Sequence, residues 1–219
     1  MMRQNHKSAY ASGRPRILAI SDIHGHLAGM IKLLKTAHYR PGTDRLYLLG
    51  DYIDTVPGTW STLTAVERLC RQGARAIVGN KEIDWLRDQQ QQSIKHPSYA
   101  FVRGLPWYNA EEKNYLFVHA GVRPGVDLAK QTIQDCTTIR EPFLSADLRC
   151  SRIVVFGHTP TVRLGAAPGT IWVGQGKIDI DTGAKHHLRL TLVDLTHRLA
   201  WSCSTALEHL YGDLRTDRW

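Results

Sequence analysis

The 219-residue sequence predicts an α/β fold built on a mixed sheet, and three observations carry that prediction. In the first part of the chain, short apolar runs alternate with amphipathic segments of helical period. The first three runs end at polar residues spaced evenly: Asp22, Asp51 and Asn80 lie 29 positions apart in turn, about the length of one strand–helix–strand unit. Beyond Arg152 the strand-like runs follow at short intervals, with few helical interruptions. The expected sheet is parallel first and antiparallel later, and it could fold into two packed layers with helices outside.

The run at 17–20 delivers the stretch Ser21-Asp22-Ile23-His24-Gly25-His26. A helix is expected over 27–38, with Met30, Ile31, Leu33 and Leu34 inward and a stop at Arg40-Pro41-Gly42-Thr43. A second strand, 46–49, ends at Gly50-Asp51. A helix over 59–70 follows, with Leu63, Val66, Leu69 and Cys70 inward and Gly73 after its end. The third strand, 74–78, ends at Gly79-Asn80, and a helix over 82–92 closes with a solvated glutamine tract. After Pro97 the pattern reads as a hairpin, 107–110 with 114–118, leading into His119. The segment 131–144 reads equally as helix or loop. Later strands are expected at 152–156, which leads through Gly157 into His158, and at 170–173, 177–180, 188–194 and 197–202.

Parallel crossovers are nearly always right-handed, so tandem units bring like strand ends to one edge of the sheet. Open α/β sheets bind ligands at that edge. Asp22, His24, Asp51 and Asn80 are therefore expected together, with His119 and His158 at equivalent ends. Mixed oxygen and nitrogen donors suit first-row divalent metals better than magnesium or calcium. Asp51, with two carboxylate oxygens, is the natural bridge between two ions. Two divalent cations against two carboxylates leave an excess of positive charge that matches a phosphate dianion and acidifies a bridging water.

These words resemble the calcineurin-like metallophosphoesterases: Asp22-Ile23-His24-Gly25, Gly50-Asp51-Tyr52-Ile53-Asp54, Gly79-Asn80-Lys81-Glu82, Val118-His119-Ala120-Gly121 and Gly157-His158-Thr159. Their flanks, including Ile139-Arg140-Glu141-Pro142-Phe143 and Ile180-Asp181-Thr182-Gly183-Ala184, are similar to the bacterial and phage-type serine/threonine phosphoprotein phosphatases. The resemblance implies a four-layer α/β/β/α sandwich of mixed sheets. It implies Asp22, His24 and Asp51 on one metal, and Asp51, Asn80, His119 and His158 on the other. Manganese is the expected pair of ions, with iron or zinc as alternatives, and a metal-bound hydroxide the expected nucleophile. Two positions depart from the family pattern. Thr55 stands where the family carries a phosphate-gripping arginine, and Lys81 where it carries a histidine thought to protonate the leaving group. The expectation is that Lys81 covers part of both roles beside Asp54, that Arg140 clamps phosphate bidentately, and that Asn80 also meets the substrate. Asp54 is expected to pair with Lys81, and Arg123 either lines the entrance or is a solvated loop residue. His26 is read as near the substrate or as a loop residue, the turn 181–184 as structural, and His186 and His187 as surface.

Composition bounds the rest. The formal net charge is +8, and Arg3, Lys7, Arg14 and Arg16 precede the first acid. Residues 1–15 are expected to be a disordered basic arm, with 16–219 one metallophosphoesterase domain. Charge of this distribution serves solubility before nucleic-acid binding. Four widely spaced cysteines, without a Cys-x-x-Cys pair, are expected reduced and packed. No apolar stretch is long enough to span a bilayer, and the N-terminus lacks the apolar core of a signal peptide, so the expected location is cytoplasmic. The expected activity is hydrolysis of phosphomonoesters, including phosphoserine or phosphothreonine in proteins. The alternatives are a dinucleoside polyphosphate (diadenosine tetraphosphate) hydrolase and a catalytically impaired phospho-ligand-binding module, and the oligomeric state is left open.

Overall fold

The computed structural model describes residues 15–148 and 151–219. The basic arm expected at 1–15, all but its last residue, lies outside them, as does Cys150. Among the described residues, eleven strands form two sheets. The first has the order β11-β10-β9-β1-β2-β3, from β1 (Ile17–Ile20), β2 (Arg45–Leu48), β3 (Arg75–Ala76), β9 (Arg189–Asp194), β10 (Leu199–Ser204) and β11 (Arg215–Arg218). The second has the order β4-β5-β6-β8-β7, from β4 (Tyr108–Asn109), β5 (Tyr115–Val118), β6 (Ile153–Phe156), β7 (Trp172–Gly174) and β8 (Lys177–Asp179).

Three buried apolar clusters separate four layers. Leu18, Ile20, Leu46, Leu48, Leu190 and Leu192 face outward from the first sheet. They pack on α1 (Leu27–Thr36), α2 (Ser61–Arg71) and α3 (Asn80–Gln90) through residues such as Leu33, Leu63 and Trp85. The alternate residues Ala19, Tyr47, Leu49 and Val193 meet Phe117, Val155 and Ile178 of the second sheet, with the Tyr47 and Phe117 rings stacked at 3.8 Å. The outer face of the second sheet, Leu116, Val118, Val154 and Phe156, is covered by Cys136, Ile139 and Phe143 of the segment that follows β5. Period-two side chains thus bury both faces of β1 and β2, which is why their sequences read as unbroken apolar runs. The fold is the expected α/β/β/α sandwich.

The order of strand types differs from the expectation of parallel first and antiparallel later. Each sheet has its own parallel group: β1-β2-β3 forms one half of the first sheet, beside antiparallel β9, β10 and β11, and β5-β6-β8 forms the centre of the second, with antiparallel β4 and β7 at its two edges. Two elements went unread. Helix α4 (Tyr99–Arg103) is one short turn after Pro97. Strand β11 is wholly exposed, Arg-Thr-Asp-Arg, and is held by its ladder to β10. The ambiguous segment contains α5 (Ile133–Thr138), capped by Thr132, whose hydroxyl accepts from the Asp135 N–H while the Asp135 carboxylate accepts from the Thr132 N–H. Among the inward residues expected of α1, Ile31 is instead exposed. Gln89 is an exception to the solvated glutamine tract: it is buried and accepts from the His96 N–H. The three described cysteines, Cys70, Cys136 and Cys203, are free.

Helix α3 begins two residues earlier than expected, and this matters for the site. Gly79 is its N-cap, and the Glu82 carboxylate turns back to accept from the Gly79 N–H. Asn80 and Lys81 therefore stand in the first helical turn, at fixed backbone angles.

Candidate metal centre

The carboxyl ends of β1, β2, β3, β5 and β6 lie side by side, and the backbone there is pinned. Asp22, His24, Asp51 and His158 all adopt positive φ, between 46° and 67°, a region that Asp and His tolerate better than most residues but still at a cost. Hydrogen bonds between the strand ends hold them there. The Asp22 N–H donates to Gly50 (3.1 Å), that of His24 to Asp51 (2.9 Å), and that of Gly157 to His119 (2.8 Å). The fully buried Glu82 accepts from the N–H groups of Asp51 (2.8 Å), Tyr52 (2.9 Å) and Gly79 (3.0 Å), tying the ends of β2 and β3 together. Gly79 is required by that approach, since a Cβ there would lie within 3.0 Å of the Asp51 backbone nitrogen and carboxylate.

The six expected ligands are brought together. Asp51 divides its two oxygens: Oδ2 lies 3.7 Å from His24 Nε2, and Oδ1 lies 3.4 Å from His119 Nε2. His24 Nε2 is also 3.7 Å from Asp22 Oδ1. Two groups result, Asp22 with His24 and Asp51, and Asp51 with His119 and His158. Ligands about 2.1 Å from a common ion stand about 3–3.5 Å apart, so these separations suit one cation in each group.

The hydrogen-bond accounting supports the same fit. His119 donates Nδ1–H to the Leu49 carbonyl (2.8 Å), which turns Nε2 toward Asn80 Oδ1 (3.1 Å) and Asp51 Oδ1 (3.4 Å). Burial acts to lower the His119 imidazole, but Asp51 and Asp22 outweigh it and push it up, so the surroundings of Nε2 favour a positive charge, a place that a metal cation can take. His158 Nε2 is buried with no hydrogen-bond partner. Burial, reinforced by His119, pushes the His158 imidazole down to about 3, so the ring is neutral and its lone pair is available to a metal. Burial pushes the Asp51 carboxyl up. For Asp22, burial acts the same way but is outweighed by His24 and His119, and its carboxyl stays well below the usual range.

The two groups open on a cavity of about 230 Å³ whose wall carries Lys81, Arg140, Arg163 and Lys185 beside the candidate ligands. His119 is fully buried and does not line it. Arg140 is exposed on that wall. Asp54 departs from expectation. It forms an ion pair with Lys185 (2.9 Å), not with Lys81, and lies 3.6 Å from His24 Nδ1. The Lys81 N–H is bonded to Asp51 Oδ1 at 2.9 Å in the first turn of α3, and Lys81 lines the cavity. Thr55 is exposed, with its N–H bonded to Asp54 Oδ1 (2.8 Å), and faces a separate cavity. Arg123 is spent on Asp135 (2.7 Å) and does not line the site. His26 meets the Tyr211 hydroxyl (3.1 Å) outside it. Of the histidines read as surface, His186 lines the cavity and His187 does not.

Lys185, Arg163, Asp181 and Glu82 went unread as site residues. Asp181 belongs to the turn read as structural, yet it reaches the cavity wall; burial, then repulsion from Asp22, pushes its carboxyl up to about 8. The available signal was position: Lys185 and Arg163 each follow closely on a strand that ends at the same edge.

A family model, calcineurin-like phosphoesterase, matches residues 15–189. The chain belongs to the calcineurin-like phosphoesterase family. It is 31% identical over 144 residues to a symmetrical bis(5'-nucleosyl)-tetraphosphatase of Citrobacter koseri, covering 58% of this chain and 50% of that one. Proteins of the same description from Salmonella newport and Klebsiella pneumoniae are 30% identical over the same share of each chain. The chain thus spans about half the length of the curated relatives it matches. Among solved structures, a protein provisionally assigned as a diadenosine tetraphosphatase superposes with a TM-score of 0.74 at 22% identity, covering 88% of this chain and 95% of that one. A serine/threonine phosphatase of Saccharomyces cerevisiae superposes with a TM-score of 0.55 at 12% identity, covering 96% and 82%; this likeness concerns the fold.

Proposed function

We propose that this phosphoesterase-family chain hydrolyses dinucleoside polyphosphates, with two divalent cations held by Asp22, His24 and Asp51 and by Asp51, Asn80, His119 and His158. The observation that carries the metal assignment is Asp51, whose oxygens diverge toward two separate histidine-containing groups. Manganese is the proposed ion on the strength of the mixed donors, with iron and zinc as alternatives. When bound, the cations supply an acidified water as attacking group and positive charge against the phosphoryl oxygens.

The protein's own side chains supply the remainder. Arg140 presents a planar fork to two oxygens of the phosphoryl group. Lys81, a compact cation lining the same cavity, donates to phosphate and assists departure of the leaving group. The wall suits a polyanion better than a lone monoester: Lys81, Arg140, Arg163 and Lys185 give four permanent cations around one small cavity. The relatives described as symmetrical tetraphosphatases support the same class. A symmetrical cut adds one water across the central P–O–P bridge and releases two nucleoside diphosphates, so no other co-reactant is needed.

The test compares kcat/KM of the manganese-loaded protein on diadenosine tetraphosphate, a phosphoserine peptide and nitrophenyl phosphate. The reading predicts the dinucleotide highest, with ADP the sole nucleotide product. A preference for the phosphopeptide restores the phosphoprotein phosphatase reading. Full metal loading without turnover of any of the three supports the impaired, ligand-binding reading.

A further inference from the structure

The ion pair between Asp54 and Lys185 sits where a surface pair has no evident structural task. Its separation is 2.9 Å, yet the Lys185 side chain keeps 37% of its exposure, and pairs so open contribute little to stability. The structure nevertheless fixes both partners with care. Asp54 Oδ1 accepts from the Thr55 N–H, and the Asp54 N–H donates to the Thr59 hydroxyl at 3.0 Å. Oδ2 meets Lys185 at 2.9 Å, with His24 Nδ1 further off at 3.6 Å. Lys185 stands in the middle of a 3-10 turn, Ala184–His186, bounded by Gly183 and His187 at positive φ. The turn is fastened by the Thr205 hydroxyl, which donates to the Ala184 carbonyl at 2.9 Å, and Ala184 itself is buried. A lysine ammonium carries three donors. Asp54 takes one, and the other two are free for the cavity whose wall Lys185 shares with Asp22, His24 and Asp51.

We infer that Lys185 is a phosphate anchor: its ammonium, aimed by Asp54, donates to a phosphoryl oxygen of the substrate lying over the Asp22–His24–Asp51 group. Asp54 is a positioning residue that acts through Lys185. This rests on the phosphohydrolase reading above and adds a substrate contact to it. It also gives Asp54 a role that does not involve Lys81. An isolated lysine at this spot would lose conformational freedom on meeting phosphate. The pair with Asp54 removes that loss beforehand, which is the usual benefit of preorganisation.

The test uses the metal-loaded protein and two readouts, inorganic phosphate affinity by titration calorimetry and steady-state kinetics on diadenosine tetraphosphate. Lys185→Ala is expected to weaken phosphate binding and raise KM by about 10- to 100-fold, the range of a hydrogen bond to a charged group, with metal content and melting temperature unchanged. Lys185→Arg is expected to recover most of the loss. Asp54→Asn is expected to weaken phosphate binding less than Lys185→Ala does, and the double variant to be no worse than Lys185→Ala alone, since a positioning residue has no effect once its partner is gone. Wild-type phosphate affinity in Lys185→Ala would overturn the inference, and so would strict additivity in the double variant. A wild-type protein that hydrolyses no phosphorus substrate would defeat the proposed function. The phosphate titration would still decide the role of Lys185.

Discussion

Gly79 offers a clean perturbation of the site because its backbone is ordinary. Its φ and ψ are −104° and 175°, open to any residue, so alanine brings no conformational strain. The only consequence is steric. The new Cβ would lie within 3.0 Å of the Asp51 nitrogen and of its carboxylate oxygen, and neither can retreat freely. The Asp51 N–H is held by Glu82 (2.8 Å) and its Oδ1 by the Lys81 N–H (2.9 Å). Overpacking against mobile side chains costs about 1–3 kcal/mol; against a pinned backbone the upper end applies, about 3 kcal/mol. For a chain of this size each kcal/mol lowers the melting temperature by about 2–4 °C, so Gly79→Ala should melt about 6–12 °C below wild type. Asp51 must also move relative to His119, so manganese bound per chain should fall. Gly58→Ala is the control, because nothing lies within 4 Å of its Cβ; its melting temperature should be unchanged or slightly raised. Calorimetric melting with and without manganese, plus metal analysis, reads all of this. A Gly79→Ala protein that melts within 2 °C of wild type (about 0.5–1 kcal/mol) and holds full metal would refute the close approach of the two strand ends.

Three other outcomes follow from the same coordinates. Asp44 is buried between Arg16 (2.6 Å) and Arg40 (2.8 Å). Burial pushes its carboxyl up, but the two guanidiniums outweigh it and hold it well below the ordinary 3.8. The depressed value means its stabilisation is present above about pH 4 and lost as pH falls further. Asp44→Asn should therefore cost about 3–5 kcal/mol at pH 7, with the gap to wild type narrowing below pH 4 in denaturant titrations; a gap that does not change with pH would contradict the pairing. Arg140→Ala should lower kcat/KM about 10- to 100-fold without changing the melting temperature, and Arg140→Lys should restore only part, because lysine lacks the fork. Lys81→His should change the rate and the pH profile on an aryl phosphate, since an imidazole titrates near 6.5 and general acid help is commonly worth about 10²–10⁴-fold. Superimposable profiles would show that Lys81 does not assist departure.

The strand ends were legible because chemistry and topology coincide there. Asp22, Asp51 and Asn80 each close a short apolar run, and each run is buried on both faces by a sheet on one side and helices on the other. The same double burial hid the division into two sheets, since a strand packed on both faces looks alike in either. Strand β11 escaped notice because its four exposed polar residues carry no alternation and depend on hydrogen bonds to β10. Lys185 escaped because its partner Asp54 is distant in sequence, and no local pattern announces a pair made by the meeting of a β2 loop with a turn after β8. The expected Lys81–Asp54 pair gives way to the same long-range meeting, because the Asp54 carboxylate pairs with Lys185 at 2.9 Å. Substrate class was least legible. The words that carry metal ligands leave the substrate class open, and the wall of cations on which the proposed class rests is assembled from four separate segments.

The most direct test of the central claim is metal stoichiometry by mass spectrometry on protein equilibrated with manganese, for wild type and Asp51→Ala. Two ions per chain in the wild type and none or one in the variant is the predicted result. A wild type that retains at most one ion, or a variant that keeps both, would contradict the account in which Asp51 joins the two halves of the site.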